Sequence, residues 1–211
     1  AMPHVIAAVG VSFSWELVLL GASVLALMGG VMVAVAGDGH YAPPRSGVLQ
    51  LGVRALKMLA GNSRFRASAG GYFGHMWELY AFWSVLPWLS LPIARALTEP
   101  GEGSASSVAW ISFAVIGIGF FGCVLGGLWS RHVGSAKVAA SALAASGLMC
   151  VGYPFIPDSW PLVQLGTLLF WGVCVVADSP QFSAMSSQHA PPQWLGSALV
   201  LQNGVGFLIT V

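Results

Sequence analysis

Apolar residues in this chain come in long unbroken runs, neither the alternation of a half-buried strand nor the single stripe of a soluble helix. Leu17 to Gly37 carries no charge, and a bilayer core takes about 20 apolar residues per helix. Further runs extend from Gly71 to Ala94, broken by His75 and Glu78, from Val108 to Ser130, and from Val138 to Ile156. Another spans Pro161 to Met185 with Asp178 inside it, and Trp194 to Val211 starts one more. Ala1 to Val11 reads as the tail of an earlier span. The pattern predicts an all-α integral membrane protein with about six transmembrane helices.

Composition agrees. Charged residues make up 7% of the chain, against about 25% in soluble domains, so an ordinary aqueous surface is excluded. A net charge of +1 gives no footprint for nucleic acid. Cys123, Cys150 and Cys174 lie inside apolar runs without metal-ligand spacing and read as small buried hydrophobes. No metal and no cofactor is expected. The absence of an initiating methionine and the end within an apolar run lead us to expect a piece of a longer protein.

The basic residues set an orientation. Asp38 to Gly70 holds Arg45, Arg54, Lys57, Arg64 and Arg66, whereas Ala96 to Ser107 holds Glu99 and Glu102 and no base. The next loop has Arg131 and Lys137, and the one after it only Asp158. Basic and non-basic loops alternate, as they do when basic loops stay in the cytoplasm. Pro43-Pro44 breaks the chain after the first full span. Val48 to Leu59 has apolar residues at helical spacing with Arg54 and Lys57 elsewhere around it, predicting a short helix on the inner membrane surface.

Ionisable groups inside hydrocarbon are costly and usually face a cavity or a partner. Tyr72, His75 and Glu78 recur every three positions and share one helix face, with Trp77 close by. Trp171, Cys174, Asp178 and Gln181 form a second stripe, and Pro180 should loosen that helix by freeing the carbonyl of Val176. Gln202 and Asn203 place amides on the last span. The plainer alternative for all of these is interhelical glue, with Trp77 an interfacial belt residue.

Two features resemble the major facilitator superfamily of transporters. Gly126-Gly127-Leu128-Trp129-Ser130-Arg131-His132-Val133-Gly134-Ser135-Ala136-Lys137 resembles a degenerate copy of that family's G-x-x-x-D-R-x-G-R-K loop. Gly126, Arg131 and Gly134 match, while Ser130 and Ser135 stand where the family prefers aspartate and arginine. Gly71 to Trp83 and Ala177 to Gln188 look like the seventh and tenth helices of bacterial permeases. The resemblance implies part of a twelve-helix bundle. Residues 1–37 would end the N-terminal half (the end of helix 5, then helix 6), 38–70 would link the halves on the cytoplasmic side, and 71–211 would carry helices 7 to 10 and the start of 11. The family's cavity is lined by helices 7 and 10 and flanked by 11, which is where this chain has its acids and amides. Its sixth and ninth helices, which lie outside, correspond to stretches without interior charge.

The resemblance implies a secondary active transporter of a small solute in the bacterial cytoplasmic membrane, multi-pass and working by alternating access. Its partners would be solute, protons, the lipid bilayer and the missing N-terminal half of the same protein, with no nucleic acid. Glu78 and Asp178 would bind the coupling proton and His75 would tune it. Tyr72, Trp77, Trp171 and Gln181 would shape the pocket, Gln202 and Asn203 would line it, and Gly126, Arg131 and Gly134 would close the cytoplasmic gate. The absence of Arg or Lys within the spans disfavours an anion. An intramembrane enzyme built on Ser183, Ser186 or His189, or a non-transporting receptor or scaffold, are the alternatives.

Overall fold

The computed structural model describes residues 15–37, 57, 60–98 and 104–210. Ala1 to Val11, the Pro43-Pro44 break, the surface helix over 48–59, most of the 38–70 stretch, and Glu99 and Glu102 lie outside them. The described residues form α1 (Trp15–Ala36), α2 (Ser63–Leu97), α3 (Ser104–Val133) and α4 (Ser135–Gly152). They continue with α5 (Pro161–Ala177), α6 (Ser179–His189) and α7 (Leu195–Leu208), and two 3₁₀ turns follow α4 and precede α7. No strand occurs among the described residues.

Four helical segments are long and apolar enough to cross a membrane: Leu19–Ala36, Ala105–Val133, Ser135–Phe155 and Pro161–His189. They support reading the chain as a membrane protein. α2, expected to span over 71–94, is not among them. His75, Glu78, four serines and Arg64, Arg66 and Arg95 dilute its apolar run. α7 is apolar but only 14 residues long.

α2 begins at Ser63 rather than at Gly71, so the end of the expected linker is helical. Asn62 starts it, its side-chain oxygen accepting from the backbone N–H groups of Arg64 and Phe65 at 3.1 Å, which satisfies two donors that a helix start leaves free. The Asn62 amide donates to His189 O at 2.7 Å, tying the start of α2 to the end of α6. α2 then runs unbroken through Pro87 and Pro92, and the Tyr153 hydroxyl donates to Leu89 O at 3.0 Å between these prolines.

α3 and α5 share the most extensive helix contact. Glycines explain it. A Cβ on Gly122 would lie 2.2 Å from Val173 O, and one on Gly172 would lie 2.2 Å from Val115 O. The two backbones therefore touch, as small-residue interfaces in membranes permit. A single residue, Gly134, joins α3 to α4. Its φ of +89° lies where a side chain would be strained.

Leu86 and Ile93 of α2, Val115 of α3 and Leu168 of α5 are fully buried and form the apolar core with Phe82 and Trp171, whose rings stack 4.6 Å apart. α1 differs: every residue of it with a described side chain is exposed.

Candidate functional site

α5 ends at Ala177 and α6 starts at Ser179, with Asp178 at the joint. Pro180 causes the break. Having no N–H, it cannot bond the carbonyl of Val176 four residues earlier. That carbonyl accepts from the backbone N–H of Asp178 and from the Cys123 thiol of α3, the latter at 3.6 Å. Cys123, read from sequence as a plain hydrophobe, is thus a donor to loosened backbone. Asp178 O accepts from both Gln181 N and Phe182 N at 3.0 Å, so the chain turns only locally.

At this joint the side chain of Asp178 meets His75 of α2. Nδ1 lies 2.8 Å from Oδ1, and the two residues are 0% and 1% exposed. The contact is close without being aligned as a hydrogen bond, and neither His75 Nε2 nor Asp178 Oδ2 has a hydrogen-bond partner among the described residues. Buried polar atoms are seldom left in this state. Aromatic rings close the pair in: Tyr72 stands 6.2 Å from the imidazole and Phe182 6.1 Å, centroid to centroid. Both rings rest on glycine. A Cβ on Gly71 would fall 2.3 Å from Phe182 Cε1, and one on Gly206 would fall 2.7 Å from Tyr72 Cε1.

Glu78 is one turn further along α2 and half-buried. Its Oε1 accepts a hydrogen bond from Ser146 of α4. Ser146 Oγ accepts in turn from the Trp171 indole N–H of α5 at 2.8 Å. Towards the start of α2, Ser186 of α6 donates to Ser68 at 3.1 Å. A polar seam therefore runs from the Asn62 clasp, past Ser68 and Ser186, to the His75–Asp178 pair and the Glu78 chain.

No family model, curated protein or solved structure matches the chain. Its chemistry rests on its own residues, and these divide clearly. Tyr72, His75, Glu78, Trp171 and Asp178 come together, and Gln181 and Gln202 are also buried, at 2% and 1% exposure. Trp77 is 63% exposed on the outer side of α2, so it does not shape this site. Asn203 is exposed while its neighbour Gln202 is buried with neither amide atom partnered among the described residues. Of the expected gate loop, only Gly134 sits at a joint. Gly126 is inside α3, its Cβ position 2.9 Å from Ala177 O, and Arg131 is exposed in the last turn of α3. There it complements the negative end of the helix dipole. Of the residues in the alternative enzyme reading, Ser183, Ser186 and His189 all lie on α6; Ser186 donates to Ser68, and His189 ends the helix.

Among the described residues no group of three or more His, Cys, Asp or Glu side chains is arranged to hold a metal ion. A groove of about 520 Å³ between α3, α4 and α5, lined by Gly122, Trp129, Ala142 and Phe170 among others, is apolar and contains none of His75, Glu78 and Asp178.

Sequence reasoning missed Ser146, Ser68 and the Asn62 clasp. Ser146 is the polar member of α4's buried stripe of Val138, Ala139 and Ala142. A lone serine in an alanine-rich span gives no periodic signal that sets it apart from a helix spacer. The glycines of α3 could have been found, because Gly119, Gly122 and Gly126 recur at helical spacing.

Proposed function

We propose that this protein is a secondary transporter of a small solute, coupled to protons and working by alternating access, and that it belongs with the major facilitator superfamily as part of a twelve-helix bundle in the bacterial cytoplasmic membrane. The observation that carries the reading is the fully buried His75–Asp178 contact at the α5–α6 break, with Oδ2 and Nε2 unpartnered. An ionisable pair in such a place is costly and is typical of proton and solute pathways. A helix interrupted next to it fits transporters, whose binding sites lie at broken helices. Glu78, within the same electrostatic surroundings, is the second proton carrier. Tyr72, Phe182, Gln181 and Gln202 border the solute path, and the lack of Arg and Lys in the helix interiors favours a cationic or neutral solute.

The test is proton-gradient-driven flux in vesicles carrying the protein expressed from its full reading frame, against a panel of metabolites and drugs. Glu78→Gln and Asp178→Asn should each abolish gradient-driven flux while the protein stays folded. Unchanged flux in both would reduce the acids to interhelical glue and remove the reading's main support.

A further inference from the structure

The direction of the Glu78–Ser146–Trp171 chain is set by its chemistry. An indole N–H only donates, so Ser146 Oγ accepts from Trp171 and its single proton goes to Glu78 Oε1. Ser146 is 0% exposed and Trp171 is 7% exposed, so water does not compete for the indole–serine bond, while the half-buried Glu78 keeps a side open for proton exchange. Three helices meet in the chain: α2 through Glu78, α4 through Ser146 and α5 through Trp171. We propose that Ser146 is a positioning residue in a relay that converts the protonation state of Glu78 into a looser or tighter hold of α4 on α2 and α5. The inference rests on the proton-coupled reading of the same site and adds to it the device by which a proton would move helices.

The physical argument is one of acceptor strength. A hydrogen bond to an ionised carboxylate is roughly twice as strong as one between neutral groups. While Glu78 is ionised, the serine proton is held firmly, and the polarised serine oxygen binds the indole N–H more strongly in turn. When Glu78 takes up a proton from the aqueous phase on its other oxygen, Oε1 becomes the carbonyl oxygen of a neutral acid. Both bonds then weaken together. No other bond is made or broken. The Trp171 ring stacks on Phe82 of α2, so a change in its hydrogen bond is also felt in the core between α2 and α5.

Other titratable groups surround the relay. His75 faces Glu78 from its own helix, Asp178 from the α5–α6 joint and Cys174 from α5. Cys123 of α3 lies near Asp178, and Tyr153 stands 6.4 Å from the Trp171 ring. The sequence of α7 contains no Asp, Glu, His, Lys, Arg, Cys or Tyr. The experiment must therefore assign its signals by substitution.

Infrared difference spectra of the full-length protein in lipid nanodiscs, taken between acidic and neutral pH, provide the readout. The neutral-carboxyl band that disappears in Glu78→Gln belongs to Glu78. In Ser146→Ala this band should move to higher wavenumber, because its carbonyl oxygen loses a donor, and in Ser146→Thr it should return. Trp171→Phe, which keeps a ring in place and removes the N–H, should move the band in the same direction by less. The indole signal assigned by Trp171→Phe should respond to pH in the wild type and stay fixed in Ser146→Ala and Glu78→Gln. A Glu78 band unmoved in both Ser146→Ala and Trp171→Phe, or an indole response that survives in Ser146→Ala, overturns the relay. These spectra need no solute, so the relay and the transport reading fail separately.

Discussion

Two seams hold the same bundle together by opposite means. Between α3 and α5 the contact is made by absence: Gly122 and Gly172 bring backbone against backbone, with no side chain in between. Between α2 and its neighbours α4, α5 and α6 a line of polar side chains, from Asn62 through Ser68 and His75 to Glu78, runs beside the apolar core. A glycine seam has one good packing and resists change, since close-packed interiors transmit strain rather than absorb it. A seam of hydrogen bonds and ionisable groups can be rewritten by a proton. The bundle thus places a joint of packed backbone beside one of polar and ionisable groups, and α5 takes part in both. Gly172 and Trp171 are neighbours in its sequence and point to different sides, one for each seam.

The polar seam should break hardest. Asp178→Ala leaves His75 buried without its partner, and orphaning a buried polar group costs about 1–3 kcal/mol, more where it is charged. Unfolding in bicelles should show that loss. Replacing both residues, His75→Leu with Asp178→Leu, should restore most of the stability while gradient-driven flux stays absent. If the double variant is as unstable as the single one, the pair holds the fold by some means other than mutual compensation. The glycine seam comes next. Gly122→Ala and Gly172→Ala each add a methyl where the nearest backbone oxygen would be at 2.2 Å, and such overpacking costs about 1–3 kcal/mol. Flux per folded molecule should be unchanged. A selective loss of flux in either variant would show that the glycine seam moves too.

The two seams were not equally legible beforehand. Four membrane-length helices were legible from apolar runs, since such a run leaves few alternatives, whereas α2 and α7 fall short of that standard. Their ends were read less well: capping depends on single residues such as Asn62, whose partner His189 is 127 positions away. Tyr72, His75 and Glu78 were found together because helical spacing makes polar residues in an apolar span conspicuous. Trp77 was grouped with them by nearness in sequence, and the helix turned it outwards. Ser146 remained hidden because a small hydroxyl is equally at home as a spacer. Pro180 did announce the break at Asp178, but nothing in sequence tells that a thiol from α3 would reach the Val176 carbonyl.

Smaller effects sharpen the contrast. Asn62→Ala removes the cap of α2 and the clasp to α6 at once, and losing a cap of this kind costs about 1 kcal/mol. Hydrogen exchange should speed up in the first turn of α2 and the last turn of α6 together. Exchange confined to α2 would mean that the clasp bears no load.

The smallest effect is also the most discriminating, and it compares two adjacent amides. Gln202 is 1% exposed with both amide atoms unpartnered among the described residues, whereas Asn203 is exposed on the next position of α7. Leaving buried polar groups unmatched is costly, and replacing them by an apolar side chain of similar shape is nearly neutral or stabilising. Gln202→Leu should therefore leave stability unchanged or raise it by about 1 kcal/mol. Asn203→Leu should change stability by less than about 0.5 kcal/mol, as exposed positions usually do. Flux then separates the roles. A residue retained against its own cost in stability has a use elsewhere, so Gln202→Leu should gain stability and lose solute flux, while Asn203→Leu does neither. If Gln202→Leu instead destabilises the protein, its amide is bonded in the membrane-embedded state and belongs to the glue of the polar seam, and the solute path does not run past α7.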